Sequence, residues 1–131
     1  MFRILLTVTA VAIVAQTEFH DEAEYREEMR DIDHAFAVLS ENRPIQDGPE
    51  VQREAARLTD LFEDVEDFWI ARGDEEAANF ARMAKDGATR AGKAARESDE
   101  KSYDAAVRII AASCKGCHQE PLDKYRVPLP K

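Results

Sequence analysis

Residues 49–71 read PEVQREAARLTDLFEDVEDFWIA, and the spacing of their apolar positions decides what they become. Val51, Ala55, Leu58, Phe62, Val65 and Trp69 recur at intervals of four and three, joined by Leu61 and Phe68. Such intervals bring side chains back to one face of an α-helix, whereas a strand would alternate. Asp47-Gly48-Pro49 opens the segment. Proline suits the first helical position because the N–H it lacks would have had no partner there. Gly73 and Asp74 stop this helix and start the next.

The same reading extends in both directions. A first helix is expected from about Glu18 to Ser40, with Tyr25, Met29, Ile32, Phe36 and Leu39 on its apolar stripe and Asn42-Arg43-Pro44 ending it. A third, about Asp74 to Arg96, carries Ala77, Phe80, Ala81, Ala84, Ala88, Ala91 and Ala95. Alanine buries little area, at about 25 cal/mol per Å². This stripe either packs very closely on a neighbour or leaves room for something flat and apolar. Gly87 and Gly92 weaken the helix locally. Ser98 or Asp99 can cap a fourth helix, about Asp99 to His118, with Tyr103, Ala106, Val107, Ile110 and Cys114 inward. Four amphipathic helices with short connections predict an all-α, antiparallel, up-down-up-down four-helix bundle. The tail from Pro121, with Pro128 and Pro130, reads as extended.

A chain of 131 residues suits one domain. Its start reads as an address: Arg3 supplies a positive charge, Ile4 to Ala15 is apolar apart from Thr7 and Thr9, and Ala15 is a small residue at the exit. This is the pattern of a bacterial secretory signal peptide, residues 1–15, followed by a domain over 16–131 and a periplasmic destination. The apolar run is too short to span a bilayer, which needs ~20 residues. The net charge is −9, and loss of Arg3 makes it one unit more negative. Such acidity is unsuited to nucleic acid or an anionic membrane. It suits a partner protein with a basic docking patch, although it also serves solubility.

The chain has two cysteines, Cys114 and Cys117. A disulfide between them would close a tiny loop and constrain the unfolded chain little. With His118 they form C-x-x-C-H, the attachment signal for c-type haem. On a helix, residues three and four apart share a face, so both thiols and the imidazole point one way. The thiols can form thioethers with the haem vinyl groups while His118 binds iron, which places the haem near the C-terminal helix. A zinc site would need about four ligands, and His20 and His34 lie far off on the first helix. A thioredoxin-like thiol pair belongs in an αβ context, which this sequence lacks. No nucleophile with its base stands out, so an enzyme is not expected.

The order of helices, with C-x-x-C-H near the end of the last, resembles the cytochrome c′ family of four-helix-bundle haem proteins. The resemblance spans residues 16–131 and is carried by Cys114, Cys117 and His118, and by the alanine-rich run Ala81 to Glu97 leading into Tyr103-Asp104-Ala105-Ala106. It implies a periplasmic bundle, frequently a homodimer, holding one covalent haem c. In high-spin members the iron keeps only the proximal histidine, and these bind nitric oxide or carbon monoxide. In low-spin relatives a methionine of the first helix is the sixth ligand, and electron transfer is the role. The matching position here is Met29, which favours a six-coordinate electron carrier. Thioether sulfur is a normal axial ligand of c-type haem. The alternatives are a five-coordinate gas-binding protein with Met29 only lining the pocket, and a haem-free helical interaction module. Met83 is a weaker ligand candidate, because the family draws its ligand from the first helix. Two departures stand out. Where the family often has an arginine near a haem propionate, this chain has Tyr25, with Arg26 next to it. Its motif continues Gln119-Glu120-Pro121 rather than with an aromatic and a basic residue.

Overall fold

The computed structural model describes residues 22–118. The expected leader, the first four residues of the expected first helix and the tail from Pro121 lie outside them. Four helices follow in order: α1 Glu22–Glu41, α2 Gly48–Ala71, α3 Glu75–Arg96 and α4 Glu100–His118. No strand occurs among the described residues. Successive helices pack against each other to make an all-α four-helix bundle. Cross-helix contacts such as Thr59 with Thr89 and Glu66 with Arg82 show α2 and α3 antiparallel.

The helix ends follow from local chemistry. Asp47 accepts from the Glu50 N–H at 3.0 Å, Asp74 from Ala77 at 3.1 Å, and Asp99 from Ser102 at 3.0 Å. Each satisfies a first-turn donor that has no partner within its helix, worth ~1 kcal/mol. Between the two candidates at the start of α4, the cap is therefore Asp99. Ser98 instead turns the chain out of α3 with φ 55°, as Gly73 does after α2 with φ 71°.

Every position of the expected α2 stripe is buried except Leu61, which is half-buried. On α3 the buried face is wider than the expected stripe, adding Ala78, Gly87 and Ala94. Small side chains let backbones approach, and α3 runs close to both α2 and α4. A Cβ on Gly87 would stand 2.9 Å from Ile110 Cγ1 and 3.3 Å from the Ala106 carbonyl oxygen. The glycine that weakens the helix locally is what admits α4. One carboxylate lies on a packed face. Glu66 is buried on α2 and accepts from Arg82 Nε at 2.8 Å and Lys85 Nζ at 2.6 Å on α3.

The fourth side of the bundle is different. The α1 and α4 backbones scarcely approach each other. They are tied at one end, where the Tyr103 hydroxyl donates to the Leu39 carbonyl at 2.7 Å. There Arg43 also pairs with Asp104 at 3.0 Å, and the Ile45 N–H donates to Glu100 at 3.1 Å. Met29 and Phe36, on the expected α1 stripe, are only half-buried against the core. Asp31, paired with Arg57 at 3.0 Å, marks the α1 flank that faces α2. Met29, Asp33 and Phe36 lie on the other flank, toward α4, where close backbone packing stops.

Candidate functional site

The site is built on the last turn of α4. Cys114 and Cys117 are half-buried free thiols packed against the core, His118 is half-buried, and Lys115 is exposed. The helix runs unbroken through all of them, so the two sulfurs and the imidazole share one face. Burial pushes both thiols up to about 11, with Asp33 raising Cys114 further and Cys114, Asp74 and Glu76 raising Cys117. Each sulfur thus stays a neutral S–H at neutral pH. Attacking thiols of disulfide exchange and metal-binding thiols need the opposite, an electropositive surrounding that favours thiolate.

The register of α1 against α4 follows from the Tyr103–Leu39 bond. Tyr25 lies fourteen residues before Leu39 and Cys117 fourteen after Tyr103. At ~1.5 Å rise per residue, antiparallel helices bring those two to one level. By the same count Met29 is level with Ser113, next to Cys114. Helical side chains lean toward their own N-terminus. Met29 on α1 therefore leans in the direction of the α4 C-terminal end, and His118 leans back along α4.

Arg26 shares the Met29 flank. Its Nε is buried without a hydrogen-bond partner, while its outer nitrogen is 4.0 Å from Glu22. A buried N–H of this kind is suited to a carboxylate arriving with a ligand. The weaker ligand candidate, Met83, is 43% exposed with the Asn79 amide donating to its sulfur at 3.8 Å, and His34, not expected as a ligand, is exposed. His20 lies outside the described residues.

Two groups of residues around the site were not singled out by sequence reasoning. Tyr25 stacks on Phe68 with ring centroids 4.3 Å apart, and the Trp69 indole N–H donates to its oxygen at 3.2 Å. Burial pushes the Tyr25 phenol up to about 12. Arg72 covers the outer face of Phe68, 3.4 Å from the ring centroid. Behind the motif, the ring of Phe80 on α3 lies against Gly116, where a Cβ would stand 2.9 Å from Cζ and 3.0 Å from Cδ1. The only signal for the second contact was Phe80 on the α3 stripe and a glycine inside the motif.

Among the described residues, no group of three or more His, Cys, Asp and Glu side chains is gathered to hold a metal ion. No described helix is long and apolar enough to cross a membrane. Compared with known proteins, the chain matches no family model, no curated sequence and no solved structure.

Proposed function

We propose that this protein is an exported c-type cytochrome that transfers electrons through one haem, bound covalently at Cys114 and Cys117 with His118 and Met29 as iron ligands. The observation that carries the reading is C-x-x-C-H on an unbroken last turn of α4, beside the side of the bundle that α1 leaves open and level with Met29.

The residues present suit the group in their chemistry. The half-buried thiols of Cys114 and Cys117 would hold the haem through thioether links to its vinyl groups. His118 supplies an imidazole and Met29 a thioether, both ordinary axial ligands of c-type haem. Arg26 Nε is an uncommitted buried donor for a haem carboxylate. Haem held there supplies reversible one-electron chemistry at iron. Tyr25, Phe68 and Trp69 form an apolar wall at the level of Cys117 and keep water from that end of the bundle. The acidic surface suits docking with a redox partner that presents a basic patch. Residues 1–15 supply export to the periplasm.

The loose approach of α1 to α4 favours a second reading. If Met29 only lines the far side of the haem, the sixth position is open and the protein binds small gases such as nitric oxide or carbon monoxide.

Thioether links survive denaturation, whereas iron ligation alone generally does not. Protein from a periplasmic fraction should give a haem-stained band at its own mass on a denaturing gel, and replacing both cysteines by alanine should abolish it. A wild-type protein without that band, expressed beside haem-attachment machinery, would refute the reading.

A further inference from the structure

The contact between Phe80 and Gly116 joins α3 to the one turn of α4 that carries the whole motif. Gly116 is two residues past Cys114 and two before His118, so it lies on the side of α4 opposite those two. Phe80 is half-buried, and its ring touches the helix where any side chain on residue 116 would hold it off. His118 is the last described residue of α4, two positions past Gly116 on the same helix.

We propose that Phe80 is a positioning residue for His118. Its ring, admitted by Gly116, braces α4 behind the motif and fixes where the imidazole is presented. The role rests on the haem reading above and concerns a residue that need not touch the haem. Supporting groups behind a ligand set its orientation and its strength as a ligand, so loss of the brace weakens the bond between His118 and iron rather than covalent attachment.

The test uses full-length holoprotein and the pH at which acid displaces His118 from iron, followed in the visible spectrum, together with the reduction potential. Phe80→Ala should keep covalent haem yet release His118 at a pH higher by about one unit, a tenfold weaker bond, and should shift the potential. Phe80→Tyr keeps the ring and should behave as wild type. Gly116→Ala pushes the ring away and should raise the acid midpoint as Phe80→Ala does. In the Phe80→Ala background the same change meets no ring and should raise it no further. Where Phe80→Ala does not fold, Gly116→Ala against Phe80→Tyr carries the comparison. Variants with covalent haem and a wild-type midpoint and potential would overturn the inference, as would additive effects of the two substitutions. Absence of covalent haem from the wild type would instead overturn the haem reading itself.

Discussion

The Tyr103 hydroxyl on α4 donates to the main-chain carbonyl of Leu39 on α1 across 2.7 Å, and both residues are 0% exposed. That carbonyl belongs to the last turn of α1, where helix carbonyls lack intrahelical partners. One bond therefore satisfies an orphan acceptor, consumes a buried phenol and sets how far α1 slides along α4. Tyr103→Phe removes the donor and leaves the carbonyl buried without it. The variant should lose about 1–2 kcal/mol, read in urea as a lower midpoint with an unchanged slope.

Alkali should expose the same dependence. Burial pushes Tyr25 and Tyr103 up to about 12 from an ordinary 10.0. A phenol whose folded value is raised stabilises the fold fully below its unfolded value, and that contribution is lost as pH climbs through the folded one. Stability should hold up to about pH 10 and fall between there and about pH 12. A urea series at stepped pH measures this. Replacing both tyrosines by phenylalanine should flatten the decline, and a decline of unchanged steepness would assign it to other groups.

The buried carboxylate between α2 and α3 makes the opposite prediction at low pH. Burial alone would raise Glu66, but the hydrogen bonds from Lys85 and Arg82 outweigh it and hold the carboxyl below its ordinary 4.5. With a depressed folded value, the stabilisation is present above pH 4.5 and is lost as pH falls through the folded value. Glu66→Gln should cost about 1–3 kcal/mol at neutral pH, because it leaves Lys85 and Arg82 without their carboxylate. Its acid-unfolding curve should be shallower than that of wild type. Equal steepness in both proteins would move the acid sensitivity elsewhere.

Met29 separates electron transfer from gas binding. With its sulfur on iron, ferric protein should show a weak far-red charge-transfer band, and ferrous protein should bind carbon monoxide slowly or not at all. Met29→Leu keeps size and apolar character at a half-buried position, so the bundle should lose under ~1.5 kcal/mol. The variant should become high-spin and open to carbon monoxide. Spectra unchanged by the substitution would make Met29 a packing residue, and a five-coordinate wild type would turn the reading to gas binding.

What the amino-acid sequence determined by itself is whatever depends on neighbours within a turn or two. The starts of α2, α3 and α4 fall within one residue of the expected positions, because the period of Val51 to Trp69 and caps such as Asp74 are local chemistry. The cluster of Cys114, Cys117 and His118 on one face was legible for the same reason, since helical spacing alone produces it. Only the tertiary structure decided how near each neighbour lies. Periodicity marks the inward side of a helix but carries no distance to the next one. It therefore treated Met29 and Ile32 alike, although Ile32 is buried and Met29 only half-buried. Nothing local marked Glu66 as buried, because its partners, Arg82 and Lys85, stand sixteen and nineteen residues away. Gly87 read as a weak point within its helix and Gly116 only as a residue inside the motif, and the presence of Ile110 and Phe80 across the interface made both of them contacts. The level of Met29 beside Cys114 likewise awaited the Tyr103–Leu39 bond, which joins residues 64 positions apart, a separation over which no local rule acts.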